Sequence, residues 1–149
     1  MAGRRAREVL FPAGPIEAST GRLAMIHHLS VGTNDPVRAR RFYDAVLGAL
    51  GLRLMKQTER ELIYGATTYL LSVIQPVDGG PATVGNGSHI AFAAESRWMV
   101  DCFYAAALAH GGSGCAEPGL CPQYDLHYYA AFVRDPDGNK LEAVTMSSR

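Results

Sequence analysis

The chain has no excess charge, no long apolar run and no paired cysteines, and each absence removes a class of function. Fourteen basic and fourteen acidic side chains cancel, so no global field draws the protein to nucleic acid or to a membrane surface. No apolar run approaches the ~18 residues that a bilayer-spanning helix needs. Cys102, Cys115 and Cys121 are odd in number and lack C-x-x-C spacing. That pattern argues for reduced thiols and a cytoplasmic setting rather than a disulfide framework. The one local charge cluster, Arg38, Arg40 and Arg41, reads as the solvated face of a helix.

At the N-terminus, arginines precede a short apolar stretch, Val9 to Phe11, that Pro12, Gly14 and Pro15 interrupt. This is a poor signal peptide. Residues 1–22 are read as a mobile arm and 23–149 as the domain, with Met25 as an alternative start.

What is present is a duplication. Shifting the chain by 61 positions lays His28–Gly51 on His89–Gly112 without a gap: 24 pairs, of which six are identical. They are His28/His89, Phe42/Phe103, Tyr43/Tyr104, Ala45/Ala106, Leu47/Leu108 and Gly51/Gly112. An internal repeat outranks local propensity in deciding architecture. Each copy reads as a strand, a turn and an amphipathic helix closed by glycines.

In the first copy, Ala24–Val31 is predicted as a strand. Asn34-Asp35-Pro36 supplies a cap and a proline at the first helical position, where its missing N–H costs nothing. The helix to about Leu47 carries Ala39, Phe42, Tyr43, Val46 and Leu50 on one stripe. Three strands follow over 52–58, 61–66 and 68–75. Glycine and proline crowd the linker at 77–87. In the second copy, a strand at 89–94 leads to a helix from Arg97 to about His110, with Val100, Phe103, Tyr104, Ala107 and Leu108 inward. A longer, loop-like 113–124 stretch holding one irregular strand comes next. A hairpin at 127–134 and 139–146 then closes across Asp135-Pro136-Asp137-Gly138. The predicted fold is α+β: two βαβββ modules, about 24–76 and 88–146, in a half-open barrel.

Side chains alternate along strands. His28 and His89 therefore face away from the helices, and Glu142 joins them on the last strand. Two imidazoles and a carboxylate at equivalent points of a duplicated sheet make a facial triad with open coordination positions. Either histidine alone reads as well as an ordinary half-buried side chain. Glu142 says more, because a carboxylate on an apolar strand is costly to bury unless something positive offsets it. Tyr64, Tyr69, Tyr124, Tyr128 and Tyr129 surround the site as ring walls or hydrogen-bond donors. Tyr129 and His127 are the candidates for catalytic roles, although only one of Tyr128 and Tyr129 can face the site.

The paired units, F-Y-x-x-V-L-G at 42–48 and D-P-D-G-N-K-L-E at 135–142 resemble the vicinal oxygen chelate superfamily. That group includes glyoxalase I, fosfomycin-resistance, bleomycin-resistance and extradiol dioxygenase proteins. The resemblance covers about residues 25–146. It implies a cup-shaped sheet, usually completed by homodimerisation, and one divalent ion (Zn, Ni, Mn, Co or Fe) on the first strand of each module and the last strand of the second. Those places are His28, His89 and Glu142. Glyoxalase I-like members add a carboxylate on the last strand of the first module, and laying 70–73 on 141–144 puts Leu71 there. The reading is a small metal-dependent enzyme of lyase, transferase or dioxygenase type that chelates two oxygens of a small substrate. The alternative is a metal-free drug-binding protein of the bleomycin-resistance kind.

Overall fold

A computed structural model describes residues 25–148. The arm at 1–22 lies outside them. Ten elements run in the order β1 (Leu29–Gly32), α1 (Pro36–Gly48), β2 (Arg53–Gln57), β3 (Glu61–Gly65), β4 (Tyr69–Ile74), β5 (Ile90–Ala93), α2 (Arg97–Ala109), β6 (Ser113–Leu120), β7 (Tyr129–Arg134) and β8 (Lys140–Thr145). The chain is two βαβββ units.

Local chemistry accounts for both helices. Asp35 caps α1 by accepting from the Arg38 N–H at 3.0 Å, with Pro36 at the first helical position. Ser96 caps α2 by accepting from the Met99 N–H at 3.3 Å. Gly51 and Gly111 follow the helices with φ of +77° and +91°, a conformation other residues adopt only with strain. Gly48 is the last residue of α1 and stays helical. Gly112 is needed for a different reason. A Cβ there would lie 2.6 Å from the Phe42 ring and 2.7 Å from the Arg134 carbonyl oxygen.

The strands form two four-stranded mixed sheets, ordered β1-β4-β3-β2 and β5-β8-β7-β6. The first strand of each unit pairs in parallel with the last of the same unit, and all other pairings are antiparallel. The sheets stay separate and half-open, with β1 and β2 as the edges of the first and β5 and β6 as those of the second. The helices bind them: Phe42, Tyr43 and Leu47 of α1 join Val100 and Phe103 of α2 and Val133 and Leu141 of the second sheet in one core. Truncating a fully buried aromatic such as Phe103 to alanine is expected to cost about 3–5 kcal/mol.

Two local expectations change. Leu108, placed inward by periodicity, is exposed, while Val100, Phe103 and Ala107 are the buried residues of α2. Strand β1 starts at Leu29, well after Ala24, so His27 and His28 precede it. The stretch after α2 holds the expected irregular strand, Ser113–Leu120, which pairs with β7 through two register shifts.

Candidate functional site

Backbone register decides which side chains share a face. Ala91 pairs with Glu142, and Glu142 with Phe132, so these three leave the second sheet on one side. Leu141, Ala143, Ala131 and Val133 leave on the other side and enter the core. The face opposite the helices therefore carries Glu142, as alternation predicts.

Glu142 is 2% exposed, yet both of its oxygens are engaged. His89 Nε2 lies 3.1 Å from Oε2, and the Tyr128 hydroxyl donates to Oε1 at 2.5 Å. The imidazole keeps 43% of its side-chain surface exposed, and it lines a cavity of about 350 Å³ with Ser30, Gly85, Asn139 and Lys140. Burial, reinforced by the hydrogen bond to Glu142, pushes the Tyr128 hydroxyl up to about 12. At neutral pH it is a donor and not a base.

Of the two adjacent tyrosines, the chain aims Tyr128 at the carboxylate. Tyr129, the sequence candidate, turns to the helix side. Its hydroxyl donates to Asp101 Oδ1 of α2 at 2.8 Å, and the Arg97 guanidinium sits 5.0 Å from its ring centroid. The reason is where β7 begins: Tyr129 is its first residue, in phase with core-facing Ala131 and Val133. Residues 121–128, closed by the Cys121 N–H donating to the Tyr128 carbonyl, bring Tyr128 over the opposite face. His127 is exposed, and its backbone N–H donates to Asp125 Oδ1. No side-chain contact joins His127 to Glu142.

In the first unit, His28 stacks on Tyr69 with centroids 4.2 Å apart, and its Nδ1 lies 2.8 Å from Nδ1 of His27. Tyr64 is buried on the helix side, where its hydroxyl donates to Asp44. Tyr124 lies against Tyr128, with centroids 5.1 Å apart. Among the described residues, no three His, Cys, Asp or Glu side chains gather closely enough to share an ion. One chain thus brings His89 and Glu142 together and leaves His28 in separate surroundings.

The position equivalent to Glu142 is not Leu71. Leu29 pairs with Leu71 and Ser30 with Ser72, just as Ile90 pairs with Leu141 and Ala91 with Glu142. Leu71 is the core residue matching Leu141, and Ser72 takes the carboxylate's place. Its hydroxyl donates to Glu61 Oε1 at 2.5 Å. Sequence reading missed Ser72 and Glu61, and of the two adjacent tyrosines it chose Tyr129 where Tyr128 reaches the carboxylate. The absence of a carboxylate on β4 itself still holds.

The family profile of the Glyoxalase/Bleomycin resistance protein/Dioxygenase superfamily matches residues 25–143. The chain belongs to that superfamily. A glyoxalase/bleomycin resistance protein from Albidiferax ferrireducens T118 is similar at 40% identity and a TM-score of 0.74, covering 81% of this chain and 98% of the other. Two further structures share the fold. A glyoxalase-related enzyme from Fulvimarina pelagi has 20% identity, a TM-score of 0.64 and coverage of 82% and 88%. A lactoylglutathione lyase from Agrobacterium tumefaciens has 18% identity, a TM-score of 0.58 and coverage of 83% and 95%. No curated protein matches the chain. Among the described residues no helix is long and apolar enough to cross a membrane.

His89 and Glu142 suit a divalent ion in kind: an imidazole nitrogen and a carboxylate oxygen face each other at hydrogen-bond distance beside an open cavity. They are two donors of a set that needs about three. Within one chain the set is incomplete.

Proposed function

We propose that this superfamily member is a small metal-dependent enzyme whose site forms between two copies of the chain. His89 and Glu142 of one copy and His28 of the other would hold a single divalent ion, Zn, Ni, Mn, Co or Fe. The observation that carries this reading is the buried Glu142 carboxylate against His89. Replacing such a pair with apolar side chains is commonly neutral or stabilising, so its presence on an otherwise apolar strand points to chemistry rather than to stability. His28 occupies the equivalent place in the first unit and has no carboxylate partner there.

Two surfaces favour pairing of copies. Each sheet ends in edge strands, β1 and β2 in the first and β5 and β6 in the second. Beside Tyr128, the side chains of Leu120, Tyr124 and Leu126 are 52%, 65% and 77% exposed, an apolar cluster that a second copy would cover.

Bound there, the ion would supply Lewis acidity to an oxyanion developing on a substrate held through two oxygens. The chain's own residues do the rest. Tyr128, protonated at neutral pH, donates a hydrogen bond to Glu142 Oε1. Phe132, its ring centroid 6.3 Å from that of His89, sets an apolar side chain beside the imidazole. With Ser72 on β4 in place of a carboxylate, the reaction is of lyase, transferase or dioxygenase type rather than one relying on a β4 base to move a carbon-bound proton.

A second reading, a metal-free small-molecule binder, draws on the same site. Both Glu142 oxygens already have partners, and one chain gathers only two donors. Metal analysis of protein purified without added metal separates the two readings. Near-stoichiometric ion, lost in Glu142→Gln and in His28→Ala, is the expected result. A metal-free protein whose melting ignores chelators would establish the binder instead.

A further inference from the structure

Charge balance fails at the hairpin end of the Glu142 face. Arg134 and Lys140 are register partners across β7 and β8, and both side chains leave the sheet on the side of Glu142. The two aspartates of the turn between them point elsewhere. Asp135 accepts from the Tyr43 hydroxyl, from Asn139 Nδ2 and from two backbone N–H groups. Asp137 accepts from Thr33, Asn34 and Arg38 of the first unit.

The basic pair is consequently left without acid. Lys140 Nζ sits 5.2 Å from the Phe132 ring centroid, and Arg134 Nη1 donates to the Gly138 carbonyl at 2.7 Å. Neither forms an ion pair among the described residues. Beside them is a depression of about 520 Å³ walled by residues 84–88, His89, Arg134 and Lys140, with no acidic side chain in its lining. The 84–88 wall is a tight turn in which the Ser88 N–H donates to the Gly85 carbonyl at 3.1 Å. A Cβ on Gly85 would lie 2.5 Å from Ser88 Oγ, and one on Gly138 would meet Val84 at 3.6 Å. The turn thus abuts the hairpin. His89 and Lys140 also line the 350 Å³ cavity, so the two spaces adjoin at His89.

We infer that this depression receives an oxyanionic group of the substrate, a carboxylate, phosphate or phosphonate, with Lys140 and Arg134 as its cationic partners. The inference rests on His89 and Glu142 marking the substrate site, and narrows the substrate to small molecules bearing such a group beside the oxygens offered to that pair. Two cations without acidic partners, beside a glycine-rich wall, bind an anion by charge-assisted hydrogen bonds.

Metal-free protein titrated at low salt with inorganic phosphate, and separately with glycolate, tests this by backbone amide shifts. Saturable shifts are expected at Gly85, Gly87 and Ser88. The dissociation constant should rise roughly tenfold in Lys140→Gln, further with Arg134→Gln added, and be restored by Lys140→Arg. Lys56→Gln, at an exposed position on β2, should leave it unchanged. A response to one probe alone assigns the group as phosphoryl or carboxyl. No response to either, or equal weakening in Lys56→Gln, overturns the inference. Since the titration uses no metal, a metal-free native protein would sink the enzyme reading and leave this result standing.

Discussion

Ser72 on β4 and Glu142 on β8 hold the same place in their sheets, each beside the middle of its unit's first strand, opposite Ser30 and Ala91. Duplication preserved the backbone and changed the chemistry, so one unit offers a carboxylate and the other a hydroxyl. That hydroxyl grips Glu61 of the adjacent strand. If Ser72 and Glu61 are bystanders to the ion, Glu61→Gln and Ser72→Ala will keep full metal content while Glu142→Gln loses it. Loss of metal in Glu61→Gln would make Glu61 a fourth ligand recruited from β3.

Alkaline pH should weaken the fold through its tyrosines. Tyr128 is raised to about 12 by burial and then by Glu142, and Tyr43 and Tyr64 are raised further, again first by burial. A raised folded value means the neutral phenol is favoured in the native state. The stabilisation is complete below the unfolded value near 10 and is lost as pH climbs through the folded values. Urea midpoints should therefore fall from about pH 10 upward. Tyr128→Phe should shallow the decline between about 10 and 12. An unchanged slope in that variant would show that Tyr128 does not hold its proton as described.

The hairpin is also a clasp between the units. Tyr43 is fully buried and its hydroxyl donates to Asp135 Oδ2 at 2.6 Å. Asn139 Nδ2 donates to the same oxygen and to the Gly32 carbonyl. Tyr43→Phe should cost about 1.5–3 kcal/mol, the range for a hydrogen bond to a charged group. Urea unfolding measures it. A loss below about 0.5 kcal/mol would mean that the remaining donors to Asp135 suffice.

Much of this architecture was legible in the sequence because the repeat carries its own check. Asp35, Ser96, Gly51 and Gly111 announce where each helix begins and ends, and hydrophobic spacing on α1 finds its core face. Glu142 stood out as a carboxylate among apolar neighbours. What was lost depended on phase. The second unit's longer connection between helix and hairpin moves the repeat offset from 61 at β1/β5 to 70 at β4/β8, so the eye pairs Leu71, and not Ser72, with Glu142. Tyr128 and Tyr129 differ only in which one starts the strand. The lack of acid beside Lys140 is visible only in the fold, where Asp135 and Asp137 turn to Tyr43, Thr33, Asn34 and Arg38 of the first unit.

A mixed assembly tests the shared site most directly. His28→Ala and Glu142→Gln chains are each expected to lack metal as homodimers. Unfolded together and refolded in equal amounts, they should form hybrids in which intact His28 meets intact His89 and Glu142 once per dimer. Bound metal would then recover to roughly a quarter of the wild-type level, as two-fold symmetry and random pairing require. Hybrids shown to form by mass spectrometry, yet holding no more metal than the parent variants, would contradict a site built from two copies.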